Sequence, residues 1–320
     1  MKVFIKNRER KPDEFQFFMH QFVESAIKNG ISPKKDFPSQ KRRVRILKKI
    51  LSRCKIPSFI KKNEAIIITS SGNGLNYNAF PYYRHEIIPM LWDVWPHTWN
   101  NLYKDLKRYN CRIVFVTASY MAEKLAAELG IETYWIPEGI DINDYSKGKD
   151  LEYRPIDVYE LGRQLESYHL ILKNTLSKGQ LVGNEYNSDG SLAKLAYPTA
   201  QALLENLNRT KIIISFPQTD THPQRVGNIE TLTQRYWEAM LSGCLILGRA
   251  PKELIDFIGY NPVIDIKWDN PEKQIVSILN NIKEYQPLVN KNYETARNLA
   301  SWDLRTRQIK KILSDKGYSF

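Results

Sequence analysis

Two glutamates eight positions apart, Glu230 and Glu238, stand in the stretch GNIETLTQRYWEAMLSGCLILG, residues 227 to 248. The stretch opens like a loop, continues like a helix and closes like a strand. On a helical wheel at about 100° per residue, Glu230, Gln234 and Glu238 fall within an arc of about 80°. Trp237, Met240, Leu241 and Cys244 form the apolar face beside that arc. Carboxylates on the edge of a buried stripe are placed to line a cleft. The polar loop before them, SFPQTDTHPQRVGN, follows the strand-like run KIIIS, and in open α/β sheets ligands sit beyond the carboxyl ends of strands. A helix starting there offers backbone N–H groups and a positive dipole end to an anion. Gly227 permits close backbone approach. Carboxylates repel phosphate but accept from hydroxyls. A ligand with a central diphosphate and hydroxyl-rich groups at both ends, as in a nucleotide sugar, fits this chemistry. The plain alternative is a first-turn helix acid and a solvated one.

These residues need a sheet and helices to hold them, and the chain supplies both twice. In the first half MKVFI, AIIITS, HEIIPMLW, CRIVFV and IETYWI read as strands. DEFQFFMHQFVESAIKNG, SQKRRVRILKKILSRCK, NLYKDLKRYN and YMAEKLAAELG read as helices. In the second half IDVYELG, GQLVG, KIIISFP, CLILG and PVIDI are strands. ESYHLILKNTL, YPTAQALLENLN, TLTQRYWEAMLSG and PKELIDFIG are the helices between them, and three more helices close the chain. The polar stretch DYSKGKDLEYR, residues 144 to 154, marks a boundary. This alternation predicts an α/β protein of two domains with mostly parallel sheets.

The bulk numbers set limits. A chain of 320 residues suits two domains. No apolar run approaches the roughly 18 residues that span a bilayer, and MKVFIKNRERKPDEF has no apolar signal core. Cys54, Cys111 and Cys244 lie far apart, which argues against disulfides or a zinc site and for a reducing cytoplasm. Net charge is +12, and residues 33 to 63 hold twelve Lys or Arg against one acid, Asp36. The basicity therefore belongs to one segment.

With those residues in view, Glu230 and Glu238 with EAMLSGCLIL resemble the E-x7-E signature of GT-B-fold glycosyltransferases of the glycosyl transferases group 1 class. YWIPEGIDINDY is similar to the segment that ends their N-terminal domain, and DVYELGR to the strand and Gly-Arg turn that open the C-terminal one. PKELIDFIGYNPVI and ASWDLRTRQIKKIL resemble their remaining strand and closing helix, so the match covers about residues 110 to 320. The resemblance implies two Rossmann-like domains facing across a cleft. The N-terminal acceptor-binding domain would span 1–148 and the C-terminal nucleotide-sugar-binding domain 149–300. A helix over 301–320 would return to the first domain. It also implies roles. Glu230 would meet donor-sugar hydroxyls and Glu238 the ribose, with Gln234 on the same stripe. Backbone amides of Asn228, Ile229, Glu230, Thr231 and Leu232 would meet the diphosphate. Arg163 would pair with the phosphates, which bidentate guanidinium geometry suits. Where members carry a lysine six residues after that arginine, this chain has His169. Either His169 is protonated there, or Arg225 or Arg235 supplies the charge, or the pairing is absent.

The remaining candidates come from the first half and the basic segment. In LWDVWPHTW, Asp93 and His97 are candidates for the base toward an acceptor hydroxyl. Trp95 could stack on a sugar, and a packed turn with a capping Asp is the alternative. SSGNGLN puts Gly72 and Asn73 on the acceptor side. It is no dinucleotide fingerprint, since both the spacing and a downstream helix are missing. His85 and His222 read as plain loop residues. The basic helix, with Lys41, Arg42, Arg45, Lys48 and Lys49, could be solvated, dock to anionic lipid through residues 34–62, or bind nucleic acid, for which charge but no motif is present. No D-x-D follows a strand, so transfer without a metal or any other cofactor is expected. The expectation is transfer of a sugar from a nucleotide diphosphate sugar to an acceptor hydroxyl of a glycan or lipid-linked carrier. Its setting is surface-polysaccharide or lipid-linked glycan assembly, in the cytoplasm or on the inner membrane face. The alternatives are a nucleotide-sugar epimerase on the same architecture, or a non-enzymatic basic membrane- or nucleic-acid-binding protein.

Overall fold

The computed structural model of the chain describes residues 1–7, 17–35, 46, 62–187 and 190–320. The basic-segment candidates Lys41, Arg42, Arg45, Lys48 and Lys49 lie outside these. The chain divides into two compact units, one formed by residues 1–139 with 302–320 and the other by residues 140–301.

The first unit holds a six-stranded, all-parallel sheet. Its strands are β1 (Lys2–Asn7), β2 (Ser32–Lys35), β3 (Glu64–Ser71), β4 (Glu86–Trp92), β5 (Ile113–Val116) and β6 (Glu132–Trp135). They lie in the order β2-β1-β3-β4-β5-β6. Parallel strands are covered on both faces, so they read as unbroken apolar runs. Ala65, Ile66, Ile67 and Ile68 of β3 are accordingly all fully buried. The helices Phe17–Lys28 and Trp302–Asp315 pack together over one face of this sheet. Phe22, Trp92 and Trp302 meet edge to face there, with centroids 5.5–6.0 Å apart. The closing helix thus returns to the first domain, and Ser25 fixes it by donating to Asp303 Oδ1 at 2.6 Å.

The second unit repeats the scheme with β7 (Ile156–Glu160), β8 (Leu181–Gly183), β11 (Thr210–Ser215), β12 (Leu245–Gly248) and β13 (Val263–Asp265). All are parallel, in the order β13-β12-β11-β7-β8. A small antiparallel pair, β9 (Glu185–Tyr186) and β10 (Leu192–Lys194), stands apart from that sheet. In each sheet the strand order reverses once, between β1 and β3 and between β7 and β11. Such reversals open a crevice at the carboxyl ends of the strands, where ligands bind.

Several local readings need correction. The helix expected from Thr231 begins at Gln234, with Thr233 as its N-cap. Glu230 therefore precedes the helix, and only Gln234 and Glu238 share its face. The cause is local: β-branched Thr231 and Thr233 favour extended backbone, and the Leu232 N–H is taken by Glu253 Oε1 at 2.8 Å. The Gly-rich turn after β3 does run into a short helix, Leu75–Ala79, which the sequence reading denied. The polar stretch 144–154 belongs to the second unit, because the buried Arg154 staples it down. That guanidinium donates to the carbonyls of Lys149 at 2.7 Å, Thr210 at 2.9 Å and Ser242 at 3.0 Å.

Candidate functional site

The second domain's crevice is built where β7 and β11 end. β7 closes on the buried Glu160, then turns through Gly162 and Arg163. Gly162 has φ +79°, and a Cβ there would fall 2.8 Å from Arg235 Nη2. The absence of a side chain lets Arg235, in the first turn of the Gln234–Leu241 helix, lie against the β7 turn. β11 continues into the one-turn helices Gln218–Thr221 and Pro223–Val226, with His222 between them. A cavity of about 1250 Å³ extends from here along the ends of β7 and β8, lined among others by Glu160, Arg163, His169, Gly183 and Tyr186, with Thr221 and His222 on its β11 side.

The electrostatics are one-sided. Burial pushes the His222 imidazole below its ordinary pKa, and Arg163, Arg225 and Arg235 push in the same direction. The field of three guanidinium groups thus opposes a charge on one histidine. Around them several buried polar atoms have no hydrogen-bond partner among the described residues. They are His222 Nδ1, Thr221 Oγ1, Thr233 Oγ1 and Arg235 Nη1. Buried polar groups are almost always satisfied. Thr221, His222 and Arg163 line the same cavity. His222 was read from sequence as a plain loop residue. A lone histidine has no spacing partner to announce it.

His169 is not a loose substitute for lysine. Its Nδ1 lies 2.5 Å from Glu160 Oε2, and a carboxylate only accepts, so the ring donates through Nδ1 and keeps Nε2 for other contacts. Gln164 Nε2 donates to the same Glu160 oxygen at 3.0 Å and to the Asn184 carbonyl at 3.1 Å, tying the ends of β7 and β8 together.

The two glutamates sit in different surroundings. Glu230 Oε1 meets Arg249 Nη1 at 2.5 Å, and its Oε2 accepts the Lys252 N–H at 2.8 Å. Arg249 also grips Asp220, donating from Nε to Oδ2 at 2.7 Å. Its hydrogen bond to Asp220, and then that to Glu230, hold the guanidinium above its ordinary pKa. Arg249 and Asp220 were not singled out from sequence. Ion pairs between loops 29 residues apart leave no periodic trace. A carboxylate has about four lone-pair positions, so Glu230 keeps accepting capacity beyond these bonds. Glu238 accepts from Tyr145 Oη at 3.2 Å. Burial raises its pKa, opposed by the nearby Arg235 and by that hydroxyl.

The backbone amides expected at the diphosphate are partly spent. Ile229 N–H bonds the Val226 carbonyl at 3.3 Å, and Leu232 N–H is the one taken by Glu253. Asn228 is exposed, Thr231 partly so. The helix itself opens with Gln234 and Arg235.

In the first domain, Gly72 and Asn73 follow β3, and Asp93 follows β4. A Cβ on Gly72 would fall 2.5 Å from Thr98 Oγ1 and 3.0 Å from the Asp93 carbonyl, so the two loops interlock. Asp93 is exposed and has φ +50°, an uncommon value for a residue with a side chain. His97 is also exposed, on the turn Pro96–Thr98. Trp95 is only 4% exposed, so its ring packs in the core instead of facing an acceptor. Among the described residues, no group of three or more His, Cys, Asp or Glu could hold a metal ion, and no helix is long and apolar enough to cross a membrane.

No protein-family profile and no curated protein matches the sequence. Solved structures do match over nearly the whole chain. HepE of Anabaena, in complex with UDP and glucose, superposes with a TM-score of 0.59 at 13% identity, covering 98% of this chain and 100% of that one. The chain has the GT-B fold. Sucrose-phosphate synthase of Thermosynechococcus elongatus shares it, with TM-score 0.57, 11% identity and 98% of both chains covered. So does AviGT4, a glycosyltransferase involved in avilamycin A biosynthesis, with TM-score 0.56, 12% identity and 97% and 96% of the two chains covered. At such identities the likeness is one of fold.

Proposed function

We propose that the chain is a glycosyltransferase of the group 1 class that moves a sugar from a nucleotide diphosphate sugar to an acceptor hydroxyl. One observation carries the reading. Arg163 and His222 line one cavity at the carboxyl ends of the second domain's strands, and Arg163, Arg225 and Arg235 all act electrostatically on that histidine. That is a seat for a diphosphate. In the reaction the bond from the sugar's anomeric carbon to the β-phosphate oxygen breaks. A bond to the acceptor oxygen forms, and the acceptor's proton passes to a base. Charge grows on the departing diphosphate, and preorganised guanidinium and N–H donors stabilise it most in the transition state. Glu230 accepts from sugar hydroxyls and Glu238 from the ribose, while Asp93 or His97 of the first domain takes the proton. No step needs a metal. HepE was crystallised with UDP and glucose, which supports a nucleotide-sugar donor here. The setting we propose is surface-polysaccharide or lipid-linked glycan assembly at the cytoplasmic membrane face, with the basic segment 34–62 toward anionic lipid.

A thermal-shift panel of UDP-, GDP-, dTDP- and CMP-sugars tests this. A ligand at about 100 times its Kd stabilises the native state by ~2.7 kcal/mol. At least one nucleotide diphosphate sugar should raise Tm by several degrees, and Glu238→Gln should reduce that rise. No rise with any of the panel would refute the reading. Donor consumption that proceeds equally well without any acceptor would favour an epimerase.

A further inference from the structure

We infer that Arg249, anchored by Asp220, is a positioning residue for the donor sugar: it aims the Glu230 carboxylate at that sugar's hydroxyls. This rests on the donor role proposed for the second domain, and it assigns what holds the sugar end of the donor in place. Glu230 lies in the stretch 227–233, outside any helix or strand. A carboxylate on such a loop can turn unless both of its oxygens are held, and here both are. Oε1 meets Arg249 Nη1 at 2.5 Å, and Oε2 accepts the Lys252 N–H at 2.8 Å. Thr219 Oγ1 approaches Oε1 from further off, at 3.5 Å. Lys252 opens the helix Lys252–Ile258, so main chain fixes one oxygen and a guanidinium the other. These contacts leave accepting capacity on the carboxylate for sugar hydroxyls.

The guanidinium is itself aimed. The Arg249 N–H donates to the Ser215 carbonyl at 3.1 Å, and the Arg249 carbonyl accepts from the buried Tyr236 hydroxyl at 2.7 Å. Its Nε donates to Asp220 Oδ2 at 2.7 Å, and its Nη2 donates to Asp220 Oδ1 and to Thr219 Oγ1, the latter at 3.0 Å. A planar guanidinium gripped along its Nε–Nη2 edge has the direction of Nη1 fixed as well. Arg249 directly follows β12, and Asp220 lies in the helix Gln218–Thr221 just beyond β11. The ends of two central strands thus dictate where Glu230 points. A lysine ammonium, a point charge on a flexible stem, would attract Glu230 without aiming it. Binding groups work when supporting bonds hold them to within about 0.5 Å of their productive place.

The test titrates the full chain calorimetrically with a nucleoside diphosphate and with its hexose donor. The pair is UDP with UDP-glucose, GDP with GDP-mannose or dTDP with dTDP-glucose, whichever the thermal-shift panel selects. The quantity read is the ratio of the two affinities, which isolates the sugar. Arg249→Met and Arg249→Lys should each lower the affinity for the hexose donor, relative to the diphosphate, at least fivefold. Asp220→Asn, which keeps an acceptor oxygen and loses the charge, should lower it less. In Arg249→Lys the diphosphate itself should bind within about twofold of wild type. If Arg249→Met loses its fold, Arg249→Lys and Asp220→Asn still decide. Coupling is then measured against Glu230→Ala, since residues that act through one another are not additive. In that background Arg249→Lys should change the ratio no further. Variants with a lower Tm and an unchanged ratio would make Arg249 a structural tie only and overturn the proposal, with the donor reading left standing. A full Arg249→Lys effect in the Glu230→Ala background would overturn it too, because Arg249 would then not act through Glu230. If no pair binds the wild-type chain, the donor reading fails and the positioning role fails with it.

Discussion

The two domains share a strand order and differ in what they place at its reversal. In the second domain a wide cavity of about 1250 Å³ runs along the ends of β7 and β8, with Arg163 and His222 in its lining. In the first, the crevice between β1 and β3 leaves about 50 Å³ beside one buried ammonium and a wall of hydroxyls and amides. The topology decides where a ligand can sit in each sheet. The side chains decide which ligand, and fold alone is silent on that. Several forked, pre-organised guanidiniums suit a diphosphate that presents many oxygens at once.

The sharpest structural contrast is at the glycines behind the two crevices. Gly248 ends β12 with φ +146°, and a Cβ there would fall 2.0 Å from the Ser215 carbonyl oxygen of β11. Backbone cannot rotate out of the way. Gly72, behind the first crevice, would meet the Thr98 hydroxyl at 2.5 Å and the Asp93 carbonyl at 3.0 Å, but it has no left-handed φ to strain. Gly248→Ala should therefore cost ~2–6 kcal/mol, combining about 1–3 for backbone strain with about 1–3 for overpacking. Gly72→Ala should cost only the ~1–3 kcal/mol of overpacking. Denaturant unfolding of the two variants measures both. Equal losses would mean that the second crevice has no stiffer floor than the first.

What sequence could and could not disclose follows the same physics. β3, β11 and β12 were legible because strands buried on both faces carry unbroken apolar runs. Strand β2, SPKK, and the pair β9 and β10 were not, since their side chains are polar or exposed and too few to alternate. Arg163 and Glu238 were singled out because each sits in a motif within one chain segment that resembles a known family. The Arg249 bridge between Asp220 and Glu230 depends on loops brought together only by the sheet. Reading Glu230 as helical failed for a nearby reason. The Glu253 carboxylate, 21 residues downstream, captures the Leu232 amide and holds the backbone extended.

Arg235→Gln asks whether the second crevice works through its charge. A hydrogen bond to a charged group contributes about 1.5–3 kcal/mol, so UDP should bind roughly 10- to 100-fold more weakly. Uridine, which lacks the diphosphate, should be unaffected. Lys6→Gln, in the other crevice, should leave UDP affinity unchanged. Calorimetric titration of the two variants with both ligands separates the crevices, and a loss of UDP affinity in Lys6→Gln would erase the distinction drawn between them.

The finest distinction is in protons. Burial, then Arg163, Arg225 and Arg235, lower the His222 pKa in the folded chain, so the ring is neutral at pH 7. An unfolded histidine titrates near 6.5. The depressed value therefore contributes stability that is present above about pH 6.5 and lost as pH falls through the folded value. A diphosphate seated among those arginines reverses the local field and favours the imidazolium. UDP binding should then take up a fraction of a proton, and affinity should rise by no more than about tenfold per unit as pH drops from 7.5 to 6.5. Titrations in buffers of different ionisation enthalpy read that uptake directly. His222→Gln should remove it while the diphosphate's own titration persists, so the difference between the two proteins isolates the histidine. Identical uptake in both would place the diphosphate away from His222, and the second crevice would lose its claim to be the donor's seat.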